Sequence, residues 1–466
     1  MLLRKGGADA ERVLARERGL NRSLTSRQLT MIGIGGAIGT GLFMGSGIAI
    51  AYAGPGVLLS YVIAGFIALT VMYSLSEMAV AHPTPGSFGT YAELYLNPWA
   101  GFLVRYSYWA CQVVAIGGEA VAIGHYCNFW FPGLPIWISA LAAGAFIFFI
   151  NARSVTNFGS VEYWLSTIKV TAIVVFILFG AANIFGIGVN AVGFANYSAD
   201  GGPLPHGLSG VWMAVIMAVF SFTGIEVIAV TAGEASDPNK SVPRAMRTML
   251  LRLALFYFLA LAVILAIAPW SQSGAKEVTE SPFVKVFSNF GFGYAAAIMN
   301  FVILSAALSS MNTNLYLCSR MIFSLSRAGY APKVLGAINS RGTPLRAAAL
   351  SICGVLLASM VAYFSDKAYN YLFGIALFGA ILTWLVILSS HLRFRRQYPA
   401  AKRAALSSRA PFAPYLQWLA LLLLVAVLIT MGLDTEYWNI AIIVGVPWVI
   451  VVSAAYFIVR SRRSNA

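Results

Sequence analysis

A glycine-rich run near the start of the chain has the composition of a helix that unwinds around a ligand. It reads Ala37, Ile38, Gly39, Thr40 and Gly41, and a glycine costs about 1 kcal/mol relative to alanine inside a helix. Unwinding frees backbone N–H and C=O groups, which need partners in an apolar environment. The N–H groups suit a carboxylate and the carbonyls suit an ammonium, so the run predicts binding of an α-amino acid. The alternative is close helix packing through small residues.

A second interruption lies in a later apolar segment, at Phe220, Ser221, Phe222, Thr223 and Gly224. Carbonyl groups at Thr223 or its neighbours are expected to accept hydrogen bonds from the ammonium. Phe220 could cap the bound side chain by stacking, or it could be an ordinary core or lipid-facing residue. Two interrupted segments together favour a binding site over simple packing.

Three ionisable residues fall inside apolar segments and are candidates for binding and releasing a proton: Glu119, Lys169 and Glu226. Charged groups in hydrocarbon are costly unless they are paired or wetted. A protonated Lys169 is expected to bond carbonyls that unwinding exposes at 33–37, and loss of its proton would release them. The alternative for Lys169 is that its side chain snorkels to the membrane surface.

Two further glutamates, Glu77 and Glu162, lie nearer the ends of apolar segments, where a solvated position is expected. The four histidines fall at helix ends or in loops, and we assign them no role. The four cysteines have no CxxC spacing. The sequence therefore predicts no metal site, no disulfide framework and no cofactor.

The composition is that of a chain that mostly faces lipid. Of 466 residues, 59% are hydrophobic and only 10% are charged, too few charges to build a soluble surface. A disordered chain and a coiled coil are excluded by the same values. The net charge of +15 does not indicate a nucleic-acid binder, because basic residues concentrate in the cytoplasmic loops of membrane proteins.

Twelve apolar stretches are long enough to cross about 30 Å of hydrocarbon. They lie at 29–53, 55–81, 99–131, 135–151, 160–189, 208–234, 244–270, 287–325, 345–364, 369–391, 413–433 and 437–460. The basic leader that precedes them has no apolar core of its own, so it is read as a tail and not as a cleavable signal.

The distribution of charge predicts the orientation of this map. With twelve crossings, 27 of the 31 basic residues fall on the side of the N-terminus and three on the opposite side. The positive-inside rule then places both termini in the cytoplasm of a multi-pass protein of the cell membrane.

An internal repeat is visible in the positions of the two interrupted helices, the first and the sixth. Linkers of 17 and 16 residues follow the second helix of each set. Since five helices make an odd number of crossings, a second copy must enter the membrane inverted. The predicted units are a tail at 1–28, a repeat at 29–189, its inverted partner at 208–391, two appended helices at 413–460 and a tail at 461–466.

Several sequence runs are similar to those of amino acid permeases of the amino acid–polyamine–organocation superfamily. They include GIGGAIGTGLF at 33–43, SEMAVAHPTPGSFGTYAE at 76–93, FSFTGIEVIAVTAGEASDPNKSVPRA at 220–245 and NFVILSAALSSMNTNLY at 300–316. Within the superfamily the chain resembles the bacterial amino acid transporter family, whose members take up amino acids with protons.

The resemblance implies an all-α fold of the leucine-transporter type, a five-plus-five inverted repeat with two extra helices. It implies that Gly39, Thr40 and Gly41 hold the substrate carboxylate. Ala37 and the stretch 220–223 would receive the ammonium and pack the side chain. By the same resemblance Lys169 occupies the place of a sodium ion, and Glu119 lies near the site.

The residues and the resemblance together favour a secondary transporter that imports an amino acid with protons. The chain has no GxxxxGK[ST] loop for a pump and no HExxH motif for an intramembrane metalloenzyme. An amino acid exchanger of the same fold, without net proton flow, is the alternative. A neutral substrate is expected, the proton gradient supplies the energy, and the oligomeric state is left open.

Overall fold

The computed structural model describes the chain at 6–17, 19–20, 22–153, 155–187, 190–275, 281–288, 294–364, 368–435 and 438–464. These residues are mostly helical and contain no β-strand, only one isolated bridge. Lys276 and Lys367, two of the three basic residues assigned to the outer side, lie outside the described residues.

The described residues of the first half of the chain form ten α-helices. They are α1 (Gly6–Arg16), α2 (Ser26–Ala37), α3 (Ser46–Ala53), α4 (Val57–Ala81), α5 (Ser87–Tyr95), α6 (Pro98–Asn128), α7 (Ile136–Arg153), α8 (Val155–Phe185), α9 (Gly207–Ser221) and α10 (Val227–Thr231).

The part of the second half that the structure describes contains nine more α-helices. They are α11 (Pro238–Ile267), α12 (Trp270–Ser273), α13 (Pro282–Ser288), α14 (Ala295–Arg327), α15 (Leu345–Phe364), α16 (Ala368–Gln397), α17 (Ala400–Ala404), α18 (Tyr415–Leu433) and α19 (Asn439–Ser464).

Nine helical stretches of the described chain are long and apolar enough to cross a membrane. The longest, Ser26–Ala81, contains the first two predicted spans. Every one of the twelve predicted stretches overlaps a helix, but the count of twelve crossings stays a prediction. The largest error concerns the predicted span at 287–325, because the helix there begins at Ala295.

Polar residues at the helix starts explain where several of these helices begin. Thr25 and Gln28 form a capping box at the start of α2, which satisfies backbone N–H groups that a helix end leaves unpaired. Asn97 caps α6 and Asp237 caps α11, each followed by a proline, which is well suited to the first helical turn.

Helix α6 lies at the centre of the bundle and packs against α14, α15 and α16. The interrupted segment α2 packs between α8 and α11. The backbone of Leu24, just before α2, forms the isolated parallel bridge to Ala235, with Leu24 N donating to Glu234 O at 3.1 Å. The start of the first interrupted helix is therefore tied to the end of the second.

The leader does not hang free of the bundle, although its sequence suggested only a basic tail. Glu17 is buried, accepts a 2.7 Å hydrogen bond from Ser324 and lies 3.6 Å from Arg105. Arg105 also donates to Glu93 in α5 at 3.0 Å, and Arg16 donates to the same carboxylate. Burial favours the neutral form of Glu93, but Arg105 and Arg16 outweigh it and hold the pKa of this carboxyl below its usual range.

Candidate functional site

The first interrupted helix breaks where its glycines predict. Helix α2 ends at Ala37, and Ile38 has a non-helical conformation with φ −88° and ψ 81°. A wide π-helical turn at Gly41–Gly45 then leads into α3. Such turns occur mostly as single-turn bulges and are frequent at functional sites.

The second interruption is a turn between α9, which ends at Ser221, and α10, which begins at Val227. Gly224 in this turn has φ +93°, a conformation that side chains other than glycine rarely adopt. A methyl group added to Gly224 would lie 2.3 Å from Gly36 O, so the two breaks are in close backbone contact at these glycines.

Hydrogen bonds join the two breaks. The hydroxyl oxygen of Tyr257, on α11, lies 2.8 Å from Ala37 O and 2.8 Å from Ser221 O. The Ser221 hydroxyl donates across the gap to Gly41 O at 3.2 Å. These hydrogen bonds join the two breaks, and a carbonyl group of each break lies against the same Tyr257 hydroxyl.

A cavity of about 40 Å³ lies between the breaks and helices α6, α14 and α16. Eight of the residues predicted from the sequence line it: Ala37, Gly39, Gly41, Glu119, Phe220, Ser221, Thr223 and Gly224. Thr40 lines a smaller adjoining cavity together with Glu119 and Phe220. The site predicted from two distant segments is thus brought together around one space.

Two predicted residues point away from this cavity. Ile38 has its side chain fully buried in the core, while its backbone N–H donates to Ile34 O and its carbonyl accepts from Lys169. Phe222 is also buried, with its ring 4.9 Å from that of Tyr257 and 6.2 Å from that of Tyr61, centroid to centroid. Both residues shape the breaks through packing.

The cavity also contains polar residues that the sequence analysis missed. Gln112 comes from α6, and Ser310 and Asn314 come from α14. Small residues, Ala115, Ala376 and Ala380, complete the wall beside Cys111. The run at 300–316 that resembles permeases contains Ser310 and Asn314, so this motif was the available signal.

Glu119 lies directly against the first break. A methyl group added at Gly39 would lie 3.2 Å from Glu119 Oε1 and 3.1 Å from Ser310 Oγ. The carboxyl also interacts with Thr40. A second carboxylate bound at these backbone N–H groups would meet like charge unless one of the two carried a proton.

Glu226, a proton-binding candidate from the sequence, does not line the cavity. Its Oε1 accepts hydrogen bonds from Tyr108 OH at 2.9 Å and from Gly224 N at 3.3 Å. Its Oε2 accepts from Trp384 Nε1 at 3.3 Å. The carboxylate therefore supports the second turn from its far side.

Lys169 is fully buried, so the alternative of a snorkelling side chain is wrong. Its Nζ donates to Gly35 O at 2.6 Å, to Ile38 O at 2.7 Å and to Ser309 Oγ at 2.8 Å. The first two acceptors are carbonyls of the first break, at or next to the stretch 33–37 expected from the sequence, and the third is a hydroxyl of α14. All three hydrogens of an ammonium have an acceptor.

Glu162 is also fully buried, and the expectation of a solvated position is wrong. Its carboxylate accepts hydrogen bonds from Ser309 and, at 2.9 Å, from Asn312 Nδ2. Glu162 precedes Lys169 by seven residues, which is two helical turns and hence the same face. That spacing was the signal in the sequence that could have linked the two residues.

Glu77 is buried too, far along α4. It accepts from Ala410 N at 2.9 Å and lies 2.9 Å from His391 Nε2 and 3.5 Å from Arg395 Nε. His391 itself is inside α16 and fully buried, not at a helix end. These groups join α4 and α16 and do not reach the cavity. Among the described residues no group of three His, Cys, Asp or Glu side chains could hold a metal ion.

Comparison with known proteins identifies the family of the chain. The sequence model of the amino acid permease family matches residues 28–465. The chain belongs to this family, and the resemblance to the amino acid–polyamine–organocation superfamily is confirmed. It is a multi-pass membrane protein of a transporter family, not of an enzyme family.

The relatives are bacterial permeases that align with nearly the whole chain. An uncharacterised amino acid permease of Bacillus subtilis, YtnA, is 38% identical over 451 residues, covering 96% of each chain. A γ-aminobutyric acid permease of the same organism is 36% identical over 448 residues, covering 96% of this chain and 95% of the relative. The aromatic amino acid transport protein AroP of Escherichia coli K12 is 38% identical over 441 residues, covering 94% and 95%.

Proposed function

We propose that this protein imports a neutral amino acid across the cytoplasmic membrane together with protons, by alternating access. The observation that carries the proposal is the meeting of two helix breaks at one cavity, with a buried lysine on the carbonyls of the first. Freed backbone groups and an intramembrane cation are the features by which transporters of this architecture bind a substrate and couple it to an ion.

In this proposal the backbone N–H groups of Gly39, Thr40 and Gly41 hold the substrate carboxylate. They begin the second half of a broken helix, where the dipole favours an anion. Because Glu119 Oε1 lies beside Gly39, carboxylate binding and protonation of Glu119 favour each other. Glu119 is therefore a second candidate for proton coupling, besides Lys169.

The ammonium of the substrate is received by the carbonyl of Ala37 and by carbonyls of the stretch 220–223. Phe220 lines both cavities and packs against Phe373 with ring centroids 3.7 Å apart and the rings tilted by 39°, which supports its role as a cap. The rest of the wall is uncharged apart from Glu119, with the amides of Gln112 and Asn314. This wall supports a neutral side chain.

Lys169 links protonation to the conformation of the first break. As an ammonium it binds Gly35 O and Ile38 O and braces α2 against α8. The neutral amine lacks the charge and one hydrogen, so the brace weakens and the helix is free to move. Glu226 is the weakest of the three coupling candidates, because it faces away from the cavity.

The orientation and the repeat belong to the same proposal: twelve crossings, an inverted second repeat and both termini in the cytoplasm. Cysteine reporters at positions 276 and 367 should react with an impermeant thiol reagent from outside, and one at Arg396 should not. The test needs a background without the four native cysteines. Labelling of position 396 from outside would overturn the map.

Purified protein in proteoliposomes tests the function directly. Uptake of a radiolabelled amino acid is measured with and without an inward proton gradient, and then with unlabelled amino acid inside and no gradient. Accumulation that requires the proton gradient supports symport, whereas uptake that requires internal amino acid indicates the exchanger. A competition panel that includes aromatic amino acids and γ-aminobutyric acid, named for two relatives, identifies the substrate.

A further inference from the structure

Glu162 is a buried carboxyl to which the proposed mechanism so far gives no part. It lies on α8 two turns before Lys169, and its side chain is fully buried. It does not line the cavity between the breaks. A buried acid outside the binding site is costly unless it serves as a partner for a buried positive charge.

Ser309 connects this carboxyl with the lysine. Its hydroxyl accepts a hydrogen bond from Lys169 Nζ at 2.8 Å and donates to Glu162 Oε1. Asn312, one turn further along α14, donates from Nδ2 to Glu162 Oε2 at 2.9 Å, and its side-chain oxygen Oδ1 accepts from Asn151 Nδ2. Two side chains of α14 thus hold the carboxylate in place, and one of them, Ser309, also contacts the ammonium.

The backbone of the first break is shaped to admit Glu162. A methyl group added at Gly35 would lie 2.1 Å from Glu162 Oε1, so only glycine leaves room for the carboxylate there. The carbonyl of the same Gly35 receives Lys169 Nζ at 2.6 Å. One turn of α2 therefore contacts both members of the charge pair.

Two carboxyls act electrostatically on Lys169, namely Glu162 and Glu119. Glu119 comes from α6 and lines the cavity, where the substrate carboxylate would approach it. The described residues that α2, α7 and α14 bring to this cluster are uncharged carbonyl, hydroxyl and amide groups. From α11 the titratable Tyr257 reaches Ala37 O of the same break. Of the two carboxyls, only Glu162 lies outside the cavity, so its interaction with Lys169 does not depend on a bound substrate.

We propose that Glu162 is the positioning residue for Lys169: through Ser309 its negative charge holds the ammonium on the carbonyls of the first break and sets the pH at which that brace is released. The inference rests on the proposed coupling role of Lys169. Since a negative neighbour stabilises the ammonium, neutralising Glu162 lets Lys169 lose its proton at a lower pH.

The test follows the conformation of the first break, which needs no transport. Spin labels are attached at the exposed positions Arg27 on α2 and Arg346 on α15, in a cysteine-free protein in liposomes. The distance distribution between them is recorded from pH 5 to pH 10. We expect one titration, which Lys169→Gln abolishes.

Glu162→Gln should move the midpoint of this titration to lower pH by about one unit. Ser309→Ala, which keeps both charges and removes the bridge, should move it in the same direction by less. Ser305→Ala is the matched control, because Ser305 is a buried serine one turn earlier whose hydroxyl bonds Val302 O of its own helix. It should leave the midpoint unchanged.

The proposal is overturned if Glu162→Gln titrates like the wild type, or if Lys169→Gln still titrates. Should Glu162→Gln not reach the membrane folded, Ser309→Ala decides, and an unchanged midpoint overturns the proposal. Wild-type protein whose distances do not change over the whole pH range overturns it as well. A shifted midpoint in a protein that shows no gradient-driven uptake supports the role of Glu162 and refutes proton symport.

Discussion

Both helix breaks leave backbone groups without a helical partner, and side chains of opposite charge bind them. At the first, freed carbonyls of Gly35 and Ile38 are satisfied by Lys169, an ammonium that comes from another helix more than 130 residues away. At the second, the freed N–H of Gly224 is satisfied by Glu226, a carboxylate two residues further along the same turn. One break depends on a distant cation, whereas the other carries its own anion.

This difference suits the first break to a change of conformation and the second to a fixed conformation. A partner on another helix fixes the first break only while its charge is present, so a proton can change how two helices sit together. At the second break the bond from Gly224 N to Glu226 lies within one turn, and Tyr108 and Trp384 fix the same carboxylate from two other helices. We therefore expect proton coupling at the first break and a fixed shape at the second.

The largest effect should come from the shape of the second break. Gly224→Ala forces a side chain into φ +93° and places its methyl group 2.3 Å from Gly36 O. Transport should fall by about 100-fold or more, because both strain and overlap act where the breaks meet. Gly65→Ala is the control, since its methyl group would lie at an ordinary 3.6 Å from Phe222. Uptake normalised to the amount of protein in the membrane measures both, and an active Gly224→Ala would show that the turn is adaptable.

The next largest effect should separate coupling from exchange at the first break. Lys169→Gln removes the charge on Gly35 O and Ile38 O, so accumulation driven by a pH gradient should fall at least about 10-fold. Exchange of internal for external substrate should remain within about threefold of wild type, because it needs no net proton movement. Gradient-driven accumulation by Lys169→Gln would remove Lys169 from the coupling mechanism.

A comparable effect is expected when the substrate loses its carboxylate. If the first break supplies N–H groups to that carboxylate, a decarboxylated analogue loses a charge-assisted interaction and should compete at least about 10-fold more weakly than the amino acid. Inhibition of uptake by the pair is compared at one pH. Equal inhibition would mean that recognition lies mainly with the ammonium and the second break.

The smallest effect should follow neutralisation of the second break. Glu226→Gln keeps an oxygen that can accept from Gly224 N and Tyr108 OH, so both accumulation and exchange should fall together by about threefold. The pH dependence of uptake should not move. Loss of accumulation with exchange intact would place a coupling group at the second break and end the contrast between the two.

The order of helices could be predicted from the sequence because a lipid-facing helix is an uninterrupted apolar run. Every predicted stretch overlaps a helix, and the glycines of the first break and Gly224 of the second mark where the helices stop. What the runs do not contain is the rotation of each helix about its axis. Apolar residues surround many of these helices on all sides, so a polar residue such as Gln112 gives no sign that it faces a cavity.

The buried acids were missed for a related reason. Distance from the end of an apolar run predicted that Glu162 and Glu77 are solvated, but their partners lie on other helices: Ser309 and Asn312 for the first, His391 for the second. Such clusters depend on tertiary contacts between distant segments. The spacing of Glu162 and Lys169 on one face is the part of this arrangement that a sequence does contain.

Tyr257 makes a simple count of hydrogens informative. Its hydroxyl has one hydrogen, yet its oxygen lies 2.8 Å from both Ala37 O and Ser221 O. At any instant Tyr257 can donate to only one of these two carbonyls, and the other does not receive its hydrogen. The ammonium of a bound substrate has three N–H hydrogens. It can donate one of them to the free carbonyl, so that Tyr257 keeps donating to the other. The direction of the Tyr257 O–H bond would then depend on whether the cavity between the two breaks is occupied.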